Sequence, residues 1–393
     1  LGQRLQSLFL VHKTDRKAAE EKWLKNMRQF RGIYDPDVVI PADCSKAYPK
    51  LTRRVVIGTM ARLMQMLWPQ TEKNYSVQPS PMPSLSTEQL QEVLDTLVAQ
   101  KAEEQQIDPK DVVCTDEEIE KAIVEYAKGK AERMELKIDD DLQEMGIITI
   151  ARRVVFSAVL YNLGIMIGPL NKEVKARTWT KNSNTGKYEA KEVTQYKPLY
   201  EFQPVWEHYP DMTAKSLDKQ SGAFDRHCMT RSMVEELADR PDFMGDRVRA
   251  WLRTHLTGNY QPLWWETEIK GEPKSDKTTV QNEAGRKYEV LSYWGEVTGH
   301  ELAACGVTIA AADLGRTFWG NVWLIDSTVI KCKLAPIGQD VKQHHYFVFE
   351  EDDLSILGNG QCDTMRDSQI SLCETTRAGQ DNLSVIGPMV EVN

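Results

Sequence analysis

The chain has 393 residues, which at about 150 residues per domain points to two or three folding units, not one small module. Hydrophobic residues make up 41% and charged residues 27%, so it can bury a core and lacks the composition of a disordered protein. The formal net charge of −9 argues against a protein that grips nucleic acid with its whole surface.

In chain order, residues 15–30 read as a charged helix with Trp23, Leu24, Met27 and Phe30 on one face. Pro36, Pro41 and Pro49 then enforce irregular backbone, because proline fixes φ and removes a donor. From 50 to 67, Leu51, Val55, Met60, Leu63 and Leu67 keep a helical period that stops at Trp68-Pro69. Pro79, Pro81 and Pro83 mark a surface loop. Ser86 with Gln89, and Thr115 with Glu118, are capping-box signatures. The first leads into Leu90, Val93, Leu94, Leu97 and Val98. The second leads into Ile119, Ala122, Ile123 and Tyr126, and its helix is expected to reach Met145 with the acids 139–141 on a wet face. Residues 147–167 are apolar nearly all round and predict a central helix. Its apolar run, 154–168, is shorter than the about 20 residues a bilayer needs, so no membrane span is expected.

The texture changes after Pro169. Runs at 174–180 and 188–194 flank Asn182-Ser183-Asn184-Thr185-Gly186 and predict a hairpin. Further strand-like runs occur at 202–209, 287–297, 318–325, 328–334 and 345–349, with short surface helices at 232–237 and 243–256. The fold class is therefore α+β, helical in its first half and strand-rich from about 170 to 350.

Residues 363–383 read as a helix whose apolar positions, Met365, Ile370, Leu372 and Cys373, make only a thin stripe. Such a helix is expected to span solvent or to pack in an assembly, not to form a monomer's core. Residues 385–392 start an extended segment without a partner, which leads us to expect a longer natural chain or a fragment.

Catalytic motifs are missing. Gly129-Lys130 and Gly186-Lys187 have Val124 and Lys181 where a phosphate-binding loop needs its first glycine. Gly358-Asn359-Gly360 has Asp363 in place of the third glycine of a dinucleotide fingerprint, and no Gly-x-Ser-x-Gly occurs. Seven dispersed cysteines without a Cys-x-x-Cys pair read as reduced thiols. The seven histidines have no i, i+4 pair, and His344 and His345 would point oppositely on a strand, so a structural role is expected and no metal or cofactor. The acidic runs 139–141 and 350–353 read as solvated, and Trp264, Trp265, Trp319 and Trp323 as core packing instead of base stacking. No enzyme is expected. The alternative is a metal-dependent nucleic-acid hydrolase using dispersed acids such as Asp313, Asp326, Glu350 and Asp353.

One region carries more specific information. Residues 346–349 (Tyr-Phe-Val-Phe) lead into Ser355-Ile356-Leu357-Gly358-Asn359-Gly360. Met365-Arg366-Asp367-Ser368-Gln369 and Arg377-Ala378-Gly379-Gln380-Asp381-Asn382 follow, before Pro388-Met389-Val390-Glu391-Val392. This order resembles the portal, or head–tail connector, proteins of tailed bacteriophages, especially short-tailed ones. Phe202-Gln203-Pro204, Tyr209-Pro210-Asp211, Trp319 to Asp326, and the pattern of Trp23, Phe30, Tyr34 and Arg53 to Met66 extend the likeness over most of the chain.

The resemblance implies a non-enzymatic subunit of a ring, usually of twelve, at one capsid vertex of the virion, through which double-stranded DNA is packaged and ejected. Residues 1–168 would form the helical part of a wing and 169–352 its strand-rich part. Residues 353–386 would hold a stem helix, and 387–393 would begin the clip, the rest of which this sequence lacks. Expected partners are further copies of itself, the DNA, a terminase motor, a tail adaptor and the major capsid protein. A tail-adaptor connector is a further alternative. Arg366, Asp367, Gln369, Glu374, Arg377, Gln380 and Asp381 are the expected channel or inter-subunit residues, and Leu372 is expected to matter for assembly. An acidic wall suits a conduit that must hold DNA loosely, since many phosphate contacts would immobilise it.

Overall fold

The computed structural model describes residues 1–69, 73, 75–80, 83, 85–105, 114–181, 188–270, 286–335, 342–352 and 355–386. Helices and antiparallel sheets are mixed along the chain, an α+β architecture. The elements are α1 (Gly2–Asp15), α2 (Lys17–Arg31), α3 (Leu51–Leu67), α4 (Thr87–Gln105), α5 (Asp116–Met145) and α6 (Ile147–Tyr161). They continue with β1 (Leu163–Lys181), β2 (Tyr188–Gln203), β3 (His208–Pro210), β4 (Gly222–Thr230), α7 (Arg231–Asp239), α8 (Gly245–Thr254) and α9 (Trp264–Lys270). After these come β5 (Lys287–Thr298), α10 (Gly299–Ala304), β6 (Thr317–Ile325), β7 (Thr328–Leu334), β8 (His344–Val348), β9 (Glu350–Asp352), β10 (Ser355–Asn359), α11 (Gln361–Thr364) and α12 (Arg366–Ile386).

The chain forms two compact units. One comprises Leu1–Met64, Thr149–Leu170 and Tyr200–Asn393; the other comprises Gln65–Ile148 and Asn171–Leu199. The first is organised on a sheet in the order β3-β4-β5-β6-β7. Both faces of this sheet are covered, and the period of two sorts its side chains. Leu291, Tyr293 and Val297 of β5 join Leu5 and Phe9 of α1, Phe224, Val322 and Leu324 in one cluster. Tyr288 and Val290, on the opposite face, meet Val234 and Leu237 of α7 and Val248, Trp251 and Leu252 of α8. A further cluster joins Trp23 of α2 to Leu163 and Ile165 of β1 and to Leu357 of β10. β8 pairs antiparallel with β1, from Leu163 opposite Val348 to Ile167 opposite His344.

In the second unit α4 and α5 both start with the expected caps. Glu118 accepts from the Thr115 backbone N–H at 2.8 Å, and hydrogen bonding from Lys101 first, then from Thr115, lowers its pKa to about 2. Asp139 accepts from Tyr75 Oη and pairs with Lys73, each at 2.8 Å, which ties Lys73 and Tyr75 to α5.

Several expectations need correction. The central helix stops at Tyr161, and Leu163, Ile165 and Ile167 continue as strand β1. Periodicity cannot separate a fully buried helix from a fully buried strand. Asn162 makes the change at φ 76°, a left-handed conformation that asparagine tolerates. At Gly164 a Cβ would lie 2.3 Å from the Val154 carbonyl oxygen, so the strand passes against the helix only without a side chain there. The run 202–209 is likewise split, because Pro204 leads into a 3₁₀ turn, Val205–Glu207, before β3. α1 and β4 were not anticipated. The hairpin strands are longer than expected, and their connecting residues 182–187, like 387–393, lie outside the described residues. No helix among the described residues is long and apolar enough to cross a membrane.

Candidate functional site

The densest group of chemistry-bearing side chains lies inside the first unit. β3 and β4 pair so that His208 stands opposite Asp225. β8 contributes His344 and Tyr346, two residues apart and therefore on one face. Asp225 is 0% exposed, His208 1% and His344 6%. Asp225 Oδ1 lies 2.7 Å from His208 Nδ1, and Oδ2 lies 2.8 Å from His344 Nε2. Asp225 as a carboxylate only accepts, so both nitrogens facing it carry protons. His208 Nε2 is then the acceptor for Tyr346 Oη at 3.1 Å, and Tyr346 Oη in turn accepts from Gln220 Nε2 at 2.5 Å.

Burial pushes the His208 pKa down to about 4, against the opposing pull of Asp225. Burial acts upward on Asp225, but the attraction of His344 and the hydrogen bonds from both imidazoles outweigh it and hold the carboxyl well below its ordinary range. Burial also raises the Tyr346 hydroxyl well above the usual tyrosine value. His208 is therefore a neutral donor to a charged acceptor at pH 7.

A pH dependence follows. Unfolded, the His208 imidazole takes up a proton near pH 6.5; folded, it does so only near 4. Between those values the unfolded state binds more protons, so stability is full above about pH 6.5 and falls on acidification. The loss from His208 amounts to on the order of 3 kcal/mol by pH 4. Urea unfolding midpoints at pH 7.5, 6, 5 and 4, in the presence of chelator, check this; a midpoint constant from 7.5 to 4 contradicts it.

The sequence-predicted residues of α12 take two different positions. Gln369 is 1% exposed. Its Oε1 accepts from the Thr52 backbone N–H and hydroxyl, both at 3.0 Å, and its Nε2 donates to the Pro49 carbonyl at 2.5 Å. Arg366 donates to Asn26 Oδ1 at 2.6 Å. Arg377 lies over the Tyr34 ring at 5.1 Å, Gln380 Oε1 accepts from the Ser45 hydroxyl, and Asp381 accepts from the Ser45 backbone N–H at 2.7 Å. Together with buried Cys373, whose Sγ lies 3.2 Å from Gln369 Nε2, these residues form one helical face against residues 26–52; Leu372 is half-buried. Asp367 and Glu374 stand on the exposed face, with Ile370 50% exposed; Leu383 and Val385, at 69% and 63%, are exposed near the helix end. The thin apolar stripe thus underestimated the packing of this helix, because hydrogen bonds replace hydrophobic contact along its inner face.

The dispersed acids of the hydrolase alternative do not converge. Asp313 pairs with Arg316 at 2.9 Å, Asp326 accepts from Asn259 at 2.7 Å, and Glu350 is exposed on β9; Asp353 lies outside the described residues. Among the described residues, His208, Asp225 and His344 are the one group of three or more His, Cys, Asp or Glu side chains positioned to hold a metal ion. The cysteines carry no disulfide. Of the tryptophans expected in the core, Trp265 is buried and Trp319 and Trp323 are half-buried, Trp323 stacked on His227 at 5.0 Å; Trp264 is instead exposed, its indole N–H donating to Glu20 at 2.7 Å.

Sequence reasoning passed over the His–Asp–His group because its members lie 17 and 119 residues apart. The one local signal was the i, i+2 spacing of His344, just before the predicted strand 345–349, and Tyr346 within it. No protein-family model matches the chain, and no curated protein matches it.

Proposed function

We propose that this chain is a portal subunit of a short-tailed bacteriophage, a ring component at a capsid vertex through which double-stranded DNA enters and leaves. The observation that carries the reading is the division of the C-terminal helix into two faces. One face is hydrogen-bonded to residues 26–52, while the other presents Asp367, Glu374 and the apolar side chain of Ile370 to solvent. A helix lining or flanking a channel touches neighbouring copies on its sides and water in the lumen, which requires such a mixed outer surface. The mixed α+β architecture and the sequence resemblance along most of the chain support the same reading.

In this role the subunit provides no nucleotide site, so the force for packaging comes from a separate terminase motor. Its remaining surfaces serve capsid protein and tail adaptor. The net charge of −9 per subunit keeps the wall from adhering to a passing polyanion.

Sizing with mass measurement tests the proposal on the purified chain: a closed ring of about a dozen copies is expected. Ile370→Glu places a charge at a half-exposed position on the border between the two helical faces. It should shift the population from rings to monomers while leaving the circular dichroism and melting of the subunit unchanged. A wild-type chain that stays monomeric, or rings that tolerate Ile370→Glu and Leu383→Glu together, overturns it.

A further inference from the structure

We infer that His208, Asp225 and His344 form a binding site for a divalent transition-metal ion, zinc being the best fit, which clips strand β8 to the β3–β4 edge of the main sheet. The donor set is two imidazoles and one carboxylate, the nitrogen and oxygen ligands that zinc takes. The three ligand atoms lie within 4.8 Å of one another, and each comes from a paired β-strand, so the backbone holds the donors before any ion arrives. This site lies within a single chain and does not rest on the ring reading.

Two further observations point to a cation. Asp225 is fully buried, yet imidazoles are its hydrogen-bond partners and no lysine or arginine bonds to its oxygens. Buried carboxylates are ordinarily neutralised by a paired charge or by a metal. The second observation is the surroundings of His208. Its other ring nitrogen already has a partner, Tyr346 Oη at 3.1 Å, which Gln220 holds in turn. Metal-bound histidines characteristically have their second nitrogen fixed in this way. On metal binding the proton facing Asp225 moves to the other nitrogen of each ring: on His208 from Nδ1 to Nε2, where Tyr346 Oη accepts it, and on His344 from Nε2 to Nδ1. Each neutral imidazole then presents its lone pair to the ion, and Asp225 supplies one negative charge. Three protein donors leave one tetrahedral position for a water molecule. The site is closed to substrate by its burial, so the role is to hold strands together, not to catalyse.

The test uses the full chain purified without a histidine tag. Elemental analysis should find about one zinc per chain. Chelator treatment should lower the melting temperature, and added Zn²⁺ alone should restore it in a saturable manner, with Mg²⁺ having no effect. His344→Gln, checked for folding by circular dichroism, should lose the bound equivalent. Tyr346→Phe keeps all three donors and removes only the outer hydroxyl, so it should weaken Zn²⁺ affinity roughly 10–100-fold. That variant keeps the question decidable if His344→Gln does not fold. A folded wild-type chain that neither contains zinc nor melts higher when Zn²⁺ is added overturns the inference. So does a Tyr346→Phe chain with unchanged affinity.

Discussion

Asp225→Ala is expected to lower the unfolding free energy by about 4 kcal/mol, measured by urea denaturation in chelator at pH 7.5. The side chain is 0% exposed and accepts from two imidazoles at 2.7 and 2.8 Å. Its removal leaves two buried N–H donors without acceptors, at about 1–3 kcal/mol each, and adds a cavity between strands of two sheets. Asp225→Asn separates the two contributions. Its volume is unchanged, its amide oxygen can satisfy one ring, and its amide nitrogen meets the other ring donor to donor. The loss for this variant should be about half that of alanine. If Asp225→Ala changes stability by less than about 1 kcal/mol, the cluster does not hold β3, β4 and β8 together.

The second large effect belongs to Arg16, between α1 and α2. It is 0% exposed and donates to Glu20 Oε1 through Nε at 2.9 Å and through Nη2 at 2.5 Å. It also donates to the carbonyls of Val205 at 3.1 Å, Trp206 at 3.0 Å and His208, and lies 3.6 Å over the Tyr209 ring. One side chain thus satisfies three carbonyls of the irregular turn that leads into β3. Arg16→Met retains much of the volume but leaves Glu20, itself 3% exposed, without its counter-ion and orphans the carbonyls. Breaking a buried pair by removing one partner costs about 3–5 kcal/mol, and that loss is expected in equilibrium unfolding. Because most of it is the penalty of a stranded charge, adding Glu20→Gln should recover a measurable part. A double variant that is less stable than Arg16→Met assigns the loss to the carbonyls and the Tyr209 contact instead.

Both residues show where sequence reading stops. The helix from 15 to 30, with Trp23, Leu24 and Met27 buried, was legible because an amphipathic helix writes its period into consecutive residues. The caps at Thr115 and Ser86 were legible for the same reason, since cap and partner lie three residues apart. β5, β6 and β7 were found from their β-branched and aromatic content. β4 was missed: its centre, Asp225-Arg226-His227, reads as polar, and Asp225 and Arg226 are buried only because partners from other strands and helices satisfy them. Arg226, for example, meets Glu266 at 2.8 Å as well as Glu289. Within the C-terminal helix the sequence showed the period but not which polar residues would find partners. Gln369 and Asp367 are equally hydrophilic, yet one is buried against Thr52 and Pro49 and the other is exposed.

The amino-acid sequence by itself determined the α+β class, most helices and central strands, and the absence of nucleotide-binding and serine-hydrolase motifs. These properties depend on residues within one or two turns of each other, where periodicity and capping act. Only the tertiary structure decided that the apolar stretch after Asn162 is a strand, that one face of the last helix is internal, and that two histidines meet one aspartate. Those outcomes depend on contacts between residues 17 to more than 300 positions apart, whose energies arise from desolvation and hydrogen bonding in the folded interior.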